Sequence, residues 1–410
     1  MTPTKEPDEV RTTKDFGPYQ VVIVGGGTGG ISVAARLCKK LPPGQIAVVE
    51  PSPVHYYQPL WTLVGGGIFP RERSQRPEGT VIPKGAVWLQ TEVHEFAPDK
   101  NEIKLQNGSV VKYDYLIVCP GIQLDWEKVE GLKGNIGKHG ICSNYHYDTV
   151  QYTWPTIEGF EGGKALFTHP KTPIKCGGAP QKVMYLAESR FRRRNIRDKA
   201  DIHFFCGMAD SFTSPHYARV LDKLMPRRGI TPHYQRNLVA IRPMKRLAVF
   251  ECLDKPGEYE EIGYEMLHVT PPMSAPDFVK RSPLANEGGW VDVDKQTLRH
   301  TKYANVFSLG DASSLPTSKT AAAIRAQAPI LVENLLAVMA GKAPGAIYHG
   351  YTSCPIVTDY GKLILAEFDY DKKPCETFPF DQSKERLSMF LLKKHILPTL
   401  YWQGMLKGLL

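Results

Sequence analysis

A strand, glycine loop, helix and strand in succession at residues 19–50 predict an α/β fold for this chain. The apolar run YQVVIV (19–24) precedes GGGTGG (25–30), and the helical pattern ISVAARLCKKL (31–41) follows it. A second apolar run, QIAVVE, then ends at Glu50. This order is typical of a βαβ unit with parallel strands.

The glycines of this loop follow the spacing G-x-G-x-x-G at Gly25, Gly27 and Gly30. Gly25 makes the tight turn, Gly27 lets the backbone approach a pyrophosphate, and Gly30 lets the helix pack closely on the strand. Phosphates would then lie at the helix N-terminus beside Thr28 and Gly29, where free N–H groups and the helix dipole favour negative charge.

An acidic residue ends the second strand of the unit. Glu50 stands twenty positions after Gly30 and is placed to accept hydrogen bonds from the hydroxyls of an adenosine ribose. An acid there favours a ribose without a 2′-phosphate. The unit predicts a dinucleotide site, and the alternative is a glycine loop without a ligand in another α/β protein.

A motif far downstream indicates which dinucleotide binds. TKYANVFSLGD (301–311) is an apolar strand ending in Gly-Asp, and it resembles the late flavin motif of flavoproteins with two dinucleotide-binding domains. Gly310 allows close approach, and the Asp311 carboxylate accepts a hydrogen bond from the ribityl chain, which predicts FAD. Lys319 opens a helix whose positive end would face the flavin; the alternative is a surface lysine at a helix start.

Between these motifs, YDYLIVCPG (113–121) resembles the connecting strand that such flavoproteins end in Ala-Thr-Gly. Cys119 and Pro120 replace the alanine and threonine here, so only the strand and Gly121 correspond. A similar strand closes the second domain at residues 265–272.

The length of 410 residues exceeds that of one ordinary core and predicts more than one domain. Residues 146–270 show a second α/β pattern, with a strand at KALFT and a helix over about 181–194. Its strand-to-helix turn, THPKTPIKCGGAP (168–180), carries three prolines and a cysteine in place of a G-x-G-x-x-G cradle. This half is predicted to be Rossmann-like and to lack a nicotinamide nucleotide site.

The predicted organisation has four parts. They are a flexible lead (1–17), an FAD-binding domain (18–145 and 271–345), a second Rossmann-like domain (146–270), and a C-terminal redox-cysteine and membrane region (346–410).

The eight cysteines are scattered and contain no C-x-x-C pair, so zinc-ligand spacing is absent from the sequence. Cys176 precedes a helix and follows Lys175, where positive potential lowers a thiol's pKa and produces the reactive thiolate. Cys354, in GYTSCPIV (350–357), is the best partner for it. The alternative for each is a buried cysteine that packs as a small apolar residue.

The chain resembles the sulfide:quinone oxidoreductase family, of the eukaryotic mitochondrial type, over nearly its whole length. The stretches that carry the resemblance are HYYQPLWTLVGGG, TPIKCGGAPQKVMYL, YEMLHVTPPMS, GWVDVD, LPTSKTAAA, YTSCP, LAEFDY and ETFPFDQSKERLSM. It implies a glutathione-reductase-like flavoprotein in which Cys176 and Cys354 are the redox pair. It also implies that FAD contacts the following residues: Glu50, Gln58, Val93, Asp311 and Lys319.

The resemblance further implies a reaction and a location. Hydrosulfide attacks the disulfide, one cysteine becomes a persulfide, and two electrons pass to FAD and then to ubiquinone. The sulfane sulfur leaves to glutathione or sulfite, and the residues do not choose between these acceptors or assign the persulfide to one cysteine. The family places the enzyme on the mitochondrial inner membrane, although residues 1–15 lack the features of a targeting peptide.

The C-terminal stretch SKERLSMFLLKKHILPTLYW (383–402) predicts an amphipathic helix at a membrane interface. Leu387, Phe390 and Leu391 form its apolar side, with Lys393 and Lys394 beyond them and Tyr401-Trp402 as an aromatic pair. The alternative is a helix packed on the protein's own core. No run of eighteen uninterrupted apolar residues occurs, so the chain is not predicted to span a bilayer.

A formal net charge of +9 attracts anions without naming a partner. Its densest run, residues 190–197, is predicted to be the solvated end of a helix and not a nucleic-acid surface.

Two other functions remain open at this level. An FAD-dependent NADH:quinone dehydrogenase would need the second glycine fingerprint, and a non-catalytic flavin-binding protein would use the cysteines only for packing. The sequence leaves the oligomeric state open, including a homo-oligomer.

Overall fold

A computed structural model describes residues 15–410 of the chain. Most of the predicted lead, residues 1–14, lies outside the described residues. The first strand begins at Asp15, so residues 15–17 of that lead belong to a strand.

The strands are β1 (Asp15–Val24), β2 (Ile46–Val49), β3 (Val54–Tyr56), β4 (Gln75–Pro77), β5 (Ala86–Leu89), β6 (Val93–Ala97), β7 (Glu102–Leu105), β8 (Val110–Val118), β9 (Gln123–Leu124), β10 (Ile141–Cys142), β11 (Gly163–His169), β12 (Ala200–Cys206), β13 (Ile230–Tyr234), β14 (Arg236–Arg242), β15 (Leu247–Cys252), β16 (Tyr259–Gly263), β17 (Met266–His268), β18 (Met273–Ser274), β19 (Val306–Ser308), β20 (Thr352–Asp359) and β21 (Lys362–Phe368).

The α-helices are α1 (Thr28–Leu37), α2 (Trp61–Gly65), α3 (Tyr147–Val150), α4 (Thr153–Glu158), α5 (Ala179–Arg193), α6 (Pro215–Arg227), α7 (Asp277–Lys280), α8 (Ala321–Met339), α9 (Leu387–Leu391) and α10 (Leu397–Thr399). The last two alternate with π-helical turns at Leu392–Ile396 and Leu400–Gly404 and end in a 3₁₀ turn at Met405–Lys407.

The first domain is built on a seven-stranded sheet in the order β5-β2-β1-β8-β7-β6, with β19 also pairing with β8. The strands β5, β2, β1, β8 and β19 are parallel. Residues 21–24 and 46–49 are buried throughout, as expected for parallel strands that are covered on both faces. The predicted βαβ unit is therefore confirmed, and α1 begins inside the glycine loop and ends at Leu37.

The second domain is built on a parallel sheet in the order β10-β17-β11-β12-β13. Helix α5 packs on one side, and the antiparallel strands β14 to β16 contribute to the core on the other through Leu238 and Phe250. The strand β10 belongs to this sheet, although the sequence analysis assigns residues 141–142 to the FAD-binding domain. Short strands β9 and β18 pair where the chain passes between the domains.

Four of the five arginines of residues 190–197 take part in ion pairs, and Arg194 donates to backbone carbonyl oxygens. Arg190 pairs with Glu158, and Arg192 and Arg197 pair with the buried carboxylate of Glu188. These contacts attach the end of α5 to its neighbours, while Arg192 and Arg193 stay exposed at the helix end.

Within the described residues, α8 alone has the length and hydropathy of a membrane-crossing helix. It packs against α1 and β19, and Leu331 and Leu335 are buried in the core of the first domain. This packing is typical of a core helix.

Candidate active site

One cavity of about 630 Å³ is lined by three segments. They are the glycine loop (25–30), the turn at 168–180 that holds Cys176, called the Cys176 loop, and the run of helical turns at 387–407, called the C-terminal helix. Ten of the predicted site residues line the cavity: Gly27, Thr28, Gly29, Glu50, Gln58, Gly121, Cys176, Gly310, Asp311 and Lys319. The predicted residues Gly25, Gly30, Val93 and Cys354 are not among the described lining residues. Of these, Val93 is buried at the start of β6, so its predicted contact with FAD stays a prediction.

The glycine loop has the steric properties that its sequence predicts. Gly25 has a φ of +103°, which favours glycine, and a Cβ on Gly30 would lie 1.8 Å from the carbonyl oxygen of Gly25. A Cβ on Gly27 would meet no atom within 4 Å, because this residue faces the cavity at the start of α1. The loop therefore leaves space for a phosphate group at a helix N-terminus.

Two carboxyl groups lie beside this loop. Glu50 accepts hydrogen bonds from the backbone N–H groups of Gly26 and Ser52, each at 2.8 Å, and burial raises the pKa of its carboxyl group. Glu78, which no sequence pattern indicated, is also buried and lines the same cavity. Its Oε2 lies 3.3 Å from His55 Nδ1, while its Oε1 has no hydrogen-bond partner in residues 15–410.

The late flavin motif and the helix after it form a second wall. Thr320 caps α8 by accepting a hydrogen bond from the Ala323 N–H. The N-terminus of α8 lines the cavity, with Lys319 immediately before the cap. Lys319 Nζ donates to the carbonyl oxygens of Asp311 and Ser313. Burial lowers the pKa of Lys319 to about 8.

Cys176 and Cys354, 178 positions apart in the chain, meet with their sulfur atoms 3.4 Å apart. A Cβ on Gly178 would lie 2.6 Å from Cys354 Sγ, so glycine is required there for the two loops to approach. The Cys176 N–H donates to the Lys319 carbonyl oxygen at 2.9 Å, which joins the cysteine loop to the wall of the late flavin motif.

Lys182 is the cation that contacts the cysteine pair. Its Nζ donates to Cys176 Sγ at 3.0 Å. The hydrogen bond from Cys354 and the charge of Lys182 hold the pKa of Cys176 well below its usual value, against the effect of burial. The pKa of Cys354 is raised well above its usual value because its thiol donates to Cys176 and is buried.

The sequence predicts that Lys175 and the helix N-terminus lower the pKa of Cys176. The contacting cation is instead Lys182, and Lys175 Nζ donates to Gln58 Oε1 at 2.8 Å. Lys182 was missed, although a lysine inside the apolar pattern of α5 was a usable signal.

Two residues of the C-terminal helix that were predicted to face the membrane interface are buried and line the cavity. The prediction of Lys393 as a polar flank is wrong, because its side chain is buried, and its Nζ donates to the Pro59 carbonyl oxygen. Burial and the nearby charge of Lys182 lower the pKa of Lys393 to about 7. Tyr401, predicted as an interfacial aromatic, is also buried.

The Tyr401 hydroxyl joins the C-terminal helix to the glycine loop. Its oxygen lies 2.6 Å from His55 Nε2 and 2.9 Å from Thr28 Oγ1, and the His55 Nδ1 lies 3.1 Å from the Gly26 carbonyl oxygen. The glycine loop, the Cys176 loop and the C-terminal helix are thus parts of one site. Within residues 15–410, no group of three His, Cys, Asp or Glu side chains is arranged to hold a metal ion.

Comparisons with known proteins agree with this arrangement. The profile of the family "Pyridine nucleotide-disulphide oxidoreductase" matches residues 19–151. The mitochondrial sulfide:quinone oxidoreductase of Mus musculus is 52% identical over 390 residues, covering 95% of this chain and 87% of the relative. The protein of the same name from Dictyostelium discoideum is 50% identical over 392 residues, covering 95% and 86%.

A solved structure supports the fold. The sulfide:quinone oxidoreductase of Aquifex aeolicus superposes with a TM-score of 0.80 at 18% identity, covering 95% of this chain and 92% of that one. The predicted fold of two Rossmann-like domains is thereby confirmed. The matched family and the named relatives imply a flavin cofactor. Because about half of its residues are identical to those of these two relatives over 95% of its length, the chain belongs to the mitochondrial sulfide:quinone oxidoreductase family.

Proposed function

We propose that this enzyme oxidises hydrosulfide at Cys176 and Cys354 and passes the electrons through FAD to ubiquinone. The observation that carries the proposal is the contact of the two sulfur atoms, 3.4 Å apart, beside the cavity that the glycine loop and Asp311 line.

The residues present fit FAD. The open space at Gly27 suits a pyrophosphate, and Glu50 suits an adenosine ribose. Asp311 suits the ribityl chain, while Lys319 and the free end of α8 supply positive potential for the ring. When bound there, FAD supplies two-electron transfer from the cysteine side to the quinone.

The sulfur step is a thiol–disulfide exchange. Hydrosulfide forms a bond to one sulfur of the Cys176–Cys354 disulfide, the bond between the cysteines breaks, and the other cysteine leaves as a thiolate. A thiol of lower pKa leaves faster, so Cys176 is the leaving group and Cys354 carries the persulfide. Lys182 stabilises the thiolate that the exchange releases.

The sulfane sulfur then passes from the persulfide to a small acceptor, glutathione or sulfite. Both acceptors are anions. The side chains of Lys175, Lys182 and Lys393 line the cavity and favour their approach.

The other end of the cavity suits an apolar quinone at a membrane surface. Leu392, Leu397, Leu400 and Met405 line it, and Leu400 also has 41% of its surface exposed. The cavity therefore reaches an apolar part of the protein surface. This supports entry of ubiquinone from a membrane and a monotopic position on the mitochondrial inner membrane.

The alternative reaction, oxidation of NADH, would need a nucleotide cradle in the second domain. In the second domain the loop after β11 holds no glycine cradle, and a Cβ on Gly207 would lie 2.5 Å from the Lys171 nitrogen. The loop thus packs closely where a nucleotide would need space. The relatives named above do not favour this alternative or a non-catalytic role.

Anaerobic titration of the purified protein tests the proposal. Sulfide is expected to bleach the flavin absorbance with a stoichiometry near one, and NADH at the same concentration is not. Bleaching by NADH alone would favour a dehydrogenase, and no response to either donor would favour a flavin-binding protein without this activity.

The role of Lys182 gives a separate prediction. In Lys182→Met, the pH at which reduced Cys176 becomes reactive is expected to rise by about one unit or more, because a cation within hydrogen-bond distance lowers a thiol's pKa by that amount. The reactive thiolate fraction at neutral pH falls accordingly. Alkylation of Cys176 by iodoacetamide, followed against pH by mass analysis of its peptide, measures the midpoint.

The matched control is Lys223→Met on the exposed side of α6, where the midpoint should match that of the unmodified protein. An unchanged midpoint in Lys182→Met would remove Lys182 from the mechanism.

A further inference from the structure

The C-terminal helix exposes a row of large apolar side chains. Leu387, Leu391, Ile396 and Leu400 have 59%, 44%, 49% and 41% of their surfaces exposed. They follow one another along residues 387–400, on the side of the helix opposite the buried Met389, Phe390 and Tyr401. We call these four residues the apolar row. Large exposed apolar side chains that follow one another along a helix are typical of an interaction surface.

A second segment, residues 68–76, contacts the same helix through cations over aromatic rings. Arg73 lies over the Phe69 ring at 4.9 Å, and Lys394 lies 5.9 Å from the centre of that ring. Arg76 lies over the Trp402 ring at 4.9 Å. Lys394 belongs to the helix that carries the apolar row, and Arg76 meets the same helix at Trp402. Cations from two distant parts of the chain therefore come together at this helix; we call Arg73, Arg76 and Lys394 the basic rim.

The basic rim lacks acidic partners. In the part of the chain that the structure describes, none of its three cations lies within 4.0 Å of a carboxylate oxygen. The neighbouring Arg71 differs, since it pairs with Glu72 and approaches Asp148. The charge of Arg71 is therefore paired within the protein, whereas the charges of the rim cations are free to interact with an anionic partner.

Exposed leucines bordered by unpaired cations match one chemistry. In a lipid bilayer the leucine side chains would insert among the acyl chains, while the cations would contact the phosphate groups of the lipid headgroups just above them. A free phosphate in solution would use the cations but not the apolar row. We propose that residues 68–76 and the C-terminal helix together bind a membrane surface that contains anionic phospholipids, with the basic rim selecting the charged headgroups.

This inference rests on the proposed function, because the cavity reaches the surface at Leu400, which belongs to the apolar row. The rim would hold that opening against the membrane. It adds a second contact, remote in sequence from the helix, and a preference for lipid charge.

The test compares vesicles of phosphatidylcholine alone with vesicles that also contain phosphatidylglycerol, in flotation without detergent. The unmodified protein is expected to bind the anionic vesicles more tightly, and added salt should weaken this preference. The double variant Arg73→Gln, Arg76→Gln should bind them roughly tenfold or more weakly, since each basic residue near such a surface contributes about fivefold. Its binding to neutral vesicles should be unchanged.

The matched control is Lys223→Gln, Lys245→Gln, which removes two exposed cations from the second domain. It should keep the preference of the unmodified protein. A second test variant, Leu391→Ser, should weaken binding to both kinds of vesicle.

Reduction of a short-chain, water-soluble quinone by sulfide is measured for each protein. Loss of lipid preference with full soluble-quinone turnover supports the basic rim. Equal binding of the arginine variant and the unmodified protein overturns it, as does gel filtration showing that the apolar row is covered by a second copy while vesicles are not bound. Failure of the unmodified protein to reduce the quinone counts instead against the proposed function.

Discussion

Cys176→Ser and Cys354→Ser are each expected to lower the rate of sulfide-driven quinone reduction by roughly a thousandfold or more. The two cysteines act as one unit, so the loss of either is expected to cost about as much as the loss of both. A serine hydroxyl cannot form the disulfide or the persulfide. The protein should remain yellow, because neither sulfur atom holds the glycine loop or Asp311 in place. Quinone reduction is followed with sulfide as donor, and flavin content by absorbance.

Cys38→Ser is the matched control, since Cys38 is a partly buried thiol at the end of α1 and is not among the described residues that line the cavity. It should retain full activity. Normal turnover in either Cys176→Ser or Cys354→Ser would show that the electrons take another route.

Gly27→Val is expected to remove flavin from the protein while leaving the fold intact. Among residues 15–410, apart from its chain neighbours, no atom lies within 4 Å of a Cβ at this position, so the valine side chain would extend into the space proposed for the pyrophosphate. We expect the flavin bound per chain to fall by roughly tenfold or more, since a displaced phosphate contact in a buried site costs at least that factor. Absorbance measures the flavin, and circular dichroism measures the fold.

Two other glycine variants frame this result. Gly30→Ala should lose flavin and also stability, by about 1–3 kcal/mol or more, because its Cβ would lie 1.8 Å from the Gly25 carbonyl oxygen. Gly345→Ala, where a Cβ again meets nothing within 4 Å but far from the loop in sequence, should change neither property. Retention of flavin by Gly27→Val would remove the glycine loop from the cofactor site.

The βαβ unit could be predicted from the sequence because its determinants are local. The apolar strands, the glycine spacing and the helical pattern all lie within residues 19–50. Strand β19 shows the limit of such reasoning, since only Val306–Ser308 of the predicted strand at 301–311 pairs with the sheet. Hydrophobic runs indicate that a strand exists, while its ends depend on its neighbours.

The local context of Cys354 made it the best partner for Cys176, but only the family resemblance made the pair definite, because residues 178 positions apart carry no local sign that they meet. Lys393 and Tyr401 were misplaced for a related reason. An amphipathic pattern gives two faces but does not say which of them meets the protein. Here the helix has a cavity on one side, and a buried lysine there is charged or neutral according to the groups around it.

The link from Tyr401 to Thr28 and His55 has a consequence for the assembly of the enzyme. The tyrosine that contacts the glycine loop follows Gly30 by 371 positions, so it is synthesised long after the loop. A chain that ends before this tyrosine would lack its contacts with Thr28 and His55 and would present an unsealed pocket. Deleting the C-terminal segment would disturb flavin retention and membrane attachment together, so only point substitutions can separate the two.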